Sequence, residues 1–394
     1  MDTIPAAAPP KAPSVDEPSV VEGGVQTSDM ATPEHIAQLT GQLSTLLTET
    51  VEHIAGLNRE ARILALNAEI ESARAGDAGV AFGVVAKAMS QLSEKTGDSA
   101  KELARGSKGL IREMQQVTEL LQTKMRGERL SDLALTNIDL VDRNLYERSC
   151  DVRWWATDGS VVAALATPTD ETRRFASQRL GVILNAYTVY FDLVLCDLNG
   201  VVVANGRPAK HAVVGMRQDQ APWFQAAMKT RSGDEFGFQS VHCSPLVNQQ
   251  RSLVYSCAVR AGGETHGEPL GVLGIVFNWD ALGQTILDRL PLTPREKQRA
   301  VACFVDSEGN VLADFPADSL RGAFDKTLFQ GLRQGNKAYG VHPFCGREYV
   351  AGFAMSPGFE TYATGWYSLV MVARDAVATA AAGGFSAGRG RSAL

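Results

Sequence analysis

The sequence lacks several features that would narrow its function at once. No apolar run reaches the roughly 18–20 residues that a membrane-spanning helix needs; the greasiest stretch, residues 269–277, has the length of a strand. Basic excess is absent as well. With 38 Lys and Arg against 44 Asp and Glu, the formal charge is −6, which supports no nucleic-acid partner. The six cysteines (Cys150, Cys196, Cys243, Cys257, Cys303 and Cys345) form no CxxC pair. They read as reduced thiols, without the ligand spacing of a zinc cluster. There is no GxxxxGKS/T phosphate loop and no HExxH, and no Ser or Cys nucleophile stands in a recognisable local signature. No catalytic residue, metal site or cofactor is therefore expected. The N-terminal MDTIPAAAPPKAPSVDEPSV carries acids and prolines where a signal peptide would carry basic residues and an apolar core, so the chain is expected to be cytoplasmic.

The 394 residues leave room for two or three domains at roughly 150 residues each. Residues 1–32 are rich in Pro, Ala and Ser and are expected to be disordered. From Glu34 a seven-residue period begins. Ile36, Leu43, Leu57 and Leu64 share one heptad position, with Thr50 in the middle slot. Leu39 and Leu46 share another, and Leu47, Ile54 and Ala61 widen the stripe. After Gly76-Asp77-Ala78-Gly79, the positions Phe82, Met89, Thr96, Leu103, Leu110 and Val117 repeat every seven residues. The pattern predicts an antiparallel helical hairpin over 33–128, with Gly76 and Gly79 permitting the reversal. One hairpin cannot cover two apolar stripes, so a homodimer forming a four-helix bundle is the expected completion. The alternative is a hairpin packed on its own C-terminal domain.

Leu130–Arg148 continues helical, and Thr169-Asp170-Glu171 opens another helix towards Tyr187. The pattern then switches to period two. FDLVLCDLNGVVVANG, residues 191–206, reads as strand, tight turn, strand, with Asn199–Gly200 in the turn. Asp197-Leu-Asn-Gly200-Val-Val-Val-Ala204 matches Asp306-Ser-Glu-Gly309-Asn-Val-Leu-Ala313 in the spacing of Asp, Gly, Val and Ala. Strands are expected after each copy, at 235–243, 252–260 and 269–277, then at 338–343, 347–355 and 365–373. Two related modules are the expected reading, chance likeness of two turns the alternative. The fold class is thus α+β, with a coiled-coil hairpin followed by two antiparallel-sheet modules behind a long leading helix. The expected boundaries are 129–290 for that helix and the first module, 291–376 for the second, and 377–394 for a flexible tail.

Residues 65–86, ALNAEIESARAGDAGVAFGVVA, resemble the signalling tip of methyl-accepting chemotaxis proteins, strongly over 60–95 and by pattern over 34–125. The likeness is carried by Ile63 to Ala68, Glu71, Ala73 to Gly76, Gly79, Phe82 and Val84 to Ala86. It implies that the tip docks a histidine kinase, CheA, and its adaptor, CheW, with Ile63, Leu66, Asn67, Glu71, Arg74 and Val84 as contacts. Glu69, Val80 and Ala81 depart from the family pattern. The C-terminal half resembles a double Cache sensor, a pair of PAS-like modules, over about 130–375. DLNGVVVANG, VGMRQDQAPWFQAAM and PLGVLGIVFNWDAL carry that likeness.

The Cache resemblance implies a small-molecule pocket in the first module, with Trp223 and Phe224 in its roof; core packing is the alternative role for both. Amino-acid-binding members carry an Arg two residues before this Trp, where this chain has Ala221. A ligand held by its α-carboxylate is therefore not expected, although Arg217 stands nearby in sequence. Tyr255 and Cys257 should face one side of their strand, and with His242 they are the polar candidates. Ser232 to Phe236 (SGDEF) is similar to the GGDEF signature of diguanylate cyclases, but a hairpin and helix precede it rather than a nucleotide-binding domain. The expected function is a chemoreceptor-like signalling protein; the alternative is a dimeric Cache ligand-binding or scaffold protein without kinase coupling.

Overall fold

The computed structural model describes residues 33–320, 329–330 and 335–374. The segments expected to be disordered, 1–32 and 377–394, lie outside the described residues. The chain divides into two compact units, Met1–Gln122 and Thr123–Leu394. The first contains α1 (Pro33–Arg74), a short 3-10 turn at Gly76–Gly79 and the start of α2 (Val80–Trp155). Because α2 runs unbroken to Trp155, the expected boundary at 128/129 falls inside a helix.

Within the hairpin the arms meet through one stripe of mostly small residues. On α1 the least exposed positions are Thr40, Ser44, Leu47, Val51, Ile54, Asn58, Ala61, Ala65, Ala68 and Ser72, alternating by three and four residues. From the turn into α2, Gly79, Ala86, Ser93 and Ala100 are buried at intervals of seven. The stripe of Leu47, Ile54 and Ala61 thus lies inside the hairpin. The heptad of Phe82, Leu103, Leu110 and Val117 lies outside it, as do Leu43, Leu57 and Leu64. The physical reason is close approach. A Cβ added at Gly79 would lie 2.3 Å from the Ser72 carbonyl oxygen, and one at Gly97 would lie 2.6 Å from Asn58 Nδ2. Small residues let the arms touch, and bulky ones on that seam would part them.

In the second unit, α2 is followed by α3 (Gly159–Ala166) and α4 (Asp170–Ala186), the latter started by a Thr169–Thr172 capping box. The first sheet comprises β1 (Tyr190–Asp197), β2 (Val202–Asn205), β3 (Gly237–Ser244), β4 (Gln250–Arg260) and β5 (Pro269–Asn278). Helix α5 (Pro222–Met228) lies between β2 and β3. After α6 (Trp279–Asp288) and α7 (Pro294–Lys297) comes the second sheet, built from β6 (Ala300–Val305), β7 (Val311–Phe315), β8 (Lys337–Phe344), β9 (Arg347–Met355) and β10 (Tyr367–Ala373). The sheet orders are β2-β1-β5-β4-β3 and β7-β6-β10-β9-β8, the same topology twice, all antiparallel.

The weak sequence repeat has a local cause. Asp197 accepts the amides of Asn199 and Val201, each at 2.9 Å, and Asp306 accepts those of Glu308 and Asn310, also at 2.9 Å. Gly200 (φ 73°) and Gly309 (φ 81°) take the left-handed turn position that each Asx-type turn requires.

One core runs through both modules. Leu130, Ala134, Ile138, Val141 and Leu145 of α2 cluster with Leu193, Tyr255 and Ile275 of the first sheet and with Ala302, Ala354 and Val370 of the second. Each sheet has a separate core on its other face, around Trp223 and Val254 in the first and around Phe353 and Leu369 in the second. Helix α2 lies directly on β9, where a Cβ on Gly352 would sit 2.2 Å from the Leu130 and Ser131 backbone.

Candidate functional site

The hairpin tip is built from the last three turns of α1, the Gly76–Gly79 reversal and the first turns of α2. Gly76 adopts φ 53°, and Ser72 Oγ donates to the Gly79 carbonyl at 2.6 Å, which fixes the turn. All six residues expected to contact partners are exposed: Ile63, Leu66, Asn67, Glu71, Arg74 and Val84. Ile63 is 61% exposed and Val84 67%, with Phe82 beside them at 73%. Arg74 pairs with Glu71 at 3.0 Å across one turn, and both side chains remain in solvent. The tip therefore offers apolar side chains flanked by a weak surface ion pair. Of the departures from the family pattern, Glu69 is half-buried and Val80 exposed.

The sensor-side candidates do not form a single cluster. Trp223 and Phe224 start α5 and are buried with Val194, Val254, Val272 and Val276 on one face of the first sheet. The Trp223 indole packs over the backbone of Gly274, where a Cβ would be 2.9 Å from the ring. Tyr255 and Cys257 do share a face, as period two requires, but it is the opposite one, turned to α2. Arg217 is exposed and bonded to Asp219 at 3.1 Å; that bond holds the Asp219 carboxyl down at about 2. Half-buried His242 on edge strand β3 has Nδ1 2.9 Å from the Ser240 carbonyl. Burial pushes the Cys257 thiol up to about 11, so it is a neutral thiol at physiological pH.

Two arrangements escaped the sequence reading. The first supports the segment leading to Trp223. Asp192 of β1 is fully buried, and its carboxylate accepts the amides of Leu193, Gly206 and Arg207 and the Asn205 side-chain amide. Burial raises its pKa against those bonds. Nearby His211 is 2% exposed, and burial lowers its pKa.

The second joins α2 to both modules through the loop between β9 and β10. Asp142, fully buried on α2, accepts Ser356 Oγ at 2.6 Å, the Gly358 amide at 2.8 Å, Thr364 Oγ1 at 2.8 Å and the Thr364 amide at 3.2 Å. From the same loop Phe359 meets Tyr146 of α2 edge-on at 5.4 Å, and Tyr362 shares a hydroxyl–hydroxyl contact with Tyr255 of β4. Trp366, at the end of that loop, packs on Trp279 at 5.2 Å. Burial and the Tyr362 contact raise the Tyr255 pKa well above its ordinary value, so the pair stays neutral.

Comparison with known proteins finds likenesses to both halves. Residues 17–138 match the family model of the methyl-accepting chemotaxis protein signalling domain. Over 119 residues the chain is 34% identical to methyl-accepting chemotaxis protein IV of Escherichia coli, covering 30% of this chain and 20% of that protein. It is 36% identical over 167 residues to the frizzy aggregation protein FrzCD of Myxococcus xanthus, covering 38% of this chain and 39% of that protein. The chain thus spans about a fifth of the length of the first of these relatives and about two fifths of the second. The two-module unit shares its fold with the ligand-binding domain of the Campylobacter jejuni chemoreceptor Tlp3, solved in complex with 4-methylisoleucine. There the TM-score is 0.51 at 14% identity, over 64% of this chain and 92% of that one. The α+β class, with two antiparallel-sheet modules behind a long helix, is as the sequence indicated. Among the described residues no helix is long and apolar enough to cross a membrane.

Proposed function

We propose that the chain is a non-enzymatic, cytoplasmic chemoreceptor-like transducer. In this reading the C-terminal modules bind a small ligand, and the hairpin passes their state to a CheA-type kinase through a CheW-type adaptor. The observation that carries it is the occurrence, in one chain, of a chemotaxis signalling hairpin with an exposed apolar tip and of a double sensor module, with helix α2 contributing to both. Binding at the sensor biases the hairpin only if the ligand binds two packings of the unit with different affinity. The clasp at Asp142 fits such a bistable contact, since it holds α2 to a loop that also touches the first module through Tyr362.

The functional unit is a homodimer in this reading. The outward seam of Leu43, Leu57, Leu103 and Leu110 is a stripe of large apolar side chains that a second hairpin would cover, giving a four-helix bundle. The ligand site is assigned to the first module on the Trp223–Phe224 face, with Arg217 at its rim. His242 and Tyr255 are assigned to the fabric of the module. The test is co-purification of the full chain with a chemotaxis kinase and adaptor. Glu71→Ala and Arg74→Ala should reduce capture while the helical circular dichroism is retained; undiminished capture by both variants would sink the assignment of the tip.

A further inference from the structure

A cavity of about 220 Å³ opens beside Cys257, on the α2 side of the first sheet and away from Trp223. It lies between the end of α2, the loop preceding β3 and the turn that joins β4 to β5. Two arginines line it. Arg260 is 6% exposed; its Nη1 donates to the Gly267 carbonyl at 3.0 Å and its Nη2 to the Thr230 carbonyl at 2.9 Å, while its Nε is buried with no partner. Arg153 donates to the carbonyls of Ser149 at 2.8 Å and Asp234 at 3.1 Å. Among the described residues neither guanidinium forms a salt bridge with a carboxylate; two acids, Asp234 and Glu264, also line the cavity, both at exposed positions.

A buried cation held only by neutral oxygens, as Arg260 is by two carbonyls and the Thr230 hydroxyl, bears a desolvation cost that a counter-charge would offset. The charges of Arg260 and Arg153 lower the Cys257 thiol pKa and that of Asp234 raises it, which places all three at this one cavity. The guanidinium fork matches a carboxylate, and Ala156, Ala258 and Cys257 supply an apolar wall for a short carbon stem.

We propose that this cavity is a binding site for a small organic carboxylate, separate from the ligand face assigned above. It rests on the two unpaired arginines and not on the signalling reading, and it is testable without kinase or adaptor. The probe is sodium succinate, titrated against the full chain at constant ionic strength and followed by thermal unfolding and by calorimetry, with inorganic phosphate and chloride as parallel arms. Succinate should raise the melting temperature saturably, as binding to the folded state requires. Arg153→Gln, which keeps a donor for the Asp234 carbonyl, should weaken succinate at least about tenfold, the loss of a charge-assisted hydrogen bond. Arg260→Lys, which keeps the charge but not the fork, should weaken it too, whereas Arg347→Gln, at an exposed position of β9 outside the cavity, should leave it unchanged. Circular dichroism separates loss of binding from loss of fold. No saturable response to succinate, a response to phosphate alone, or succinate binding that survives both Arg153→Gln and Arg260→Lys would overturn the proposal.

Discussion

Replacing Asp142 by alanine strips four donors of their acceptor inside the second unit. Two are hydroxyls, Ser356 Oγ and Thr364 Oγ1, which can rotate towards other acceptors. The other two are the backbone amides of Gly358 and Thr364, which cannot. A buried donor left unsatisfied costs about 1–3 kcal/mol, so two amides and a partial loss at the hydroxyls give about 3–5 kcal/mol. Loosening the loop also weakens the Phe359–Tyr146 and Tyr362–Tyr255 contacts it carries, which adds to the loss in the same direction. Urea unfolding followed by tryptophan fluorescence is a suitable assay, because Trp366 lies two residues from Thr364 and against Trp279. With a slope of about 2–3 kcal/mol per M, the midpoint should fall by about 1–2 M. Asp142→Asn keeps one acceptor oxygen and should lose about half as much. A loss below about 1 kcal/mol for the alanine variant, with the native circular dichroism intact, would show that the aromatic contacts alone hold the loop and refute the clasp.

Three further outcomes are expected. Arg129 bonds Glu296 at 2.7 and 3.0 Å and, with the Thr293 amide, holds its carboxyl at about 2 against an ordinary 4.5. A depressed carboxyl stabilises the fold above its unfolded pKa and loses that contribution as pH falls through the folded one. Arg129→Met should therefore cost about 1–2 kcal/mol at pH 7, allowing for screening at a half-exposed Arg, and the gap to wild type should close between pH 5 and 2; a gap constant with pH would contradict this. Gly352→Ala would force a Cβ into the α2 backbone, so it should destabilise the second unit by about 3 kcal/mol or more in thermal unfolding. Leu43→Asp and Leu110→Asp place a carboxylate on the outward seam of the hairpin and should shift light-scattering mass from twice the chain mass towards one, since a buried unpaired carboxylate costs several kcal/mol; a wild-type monomer at micromolar concentration would refute the dimer.

What the sequence disclosed and what it hid follow from the range of the interactions. The paired Asp197 and Asp306 turns are local, set by hydrogen bonds two and four residues apart, so two equivalent modules were legible from spacing alone. Heptad period revealed both arms of the hairpin and two apolar stripes, but not which stripe faces the other arm. The contact between arms uses Gly79, Ala86, Ser93 and Ala100, whose value lies in being small rather than apolar. Period two placed Tyr255 and Cys257 on a common face but could not say that α5 covers the other one, so Trp223 was grouped with them. Helix α3 has no polar stripe to mark its period and was not anticipated. The Asp142 clasp joins residues 214–222 positions apart, and nothing near residue 142 in the sequence signals it.

The most direct test of the transducer reading is the rate of kinase autophosphorylation in a reconstituted mixture of a CheA-type kinase, a CheW-type adaptor and the full chain. The wild-type chain should change that rate severalfold relative to kinase and adaptor alone, and a chain carrying Asn67→Ala, Glu71→Ala and Arg74→Ala together should leave it at the basal value. An unchanged rate with the folded, dimeric wild-type chain would contradict the account and leave a Cache-like protein whose hairpin serves association alone.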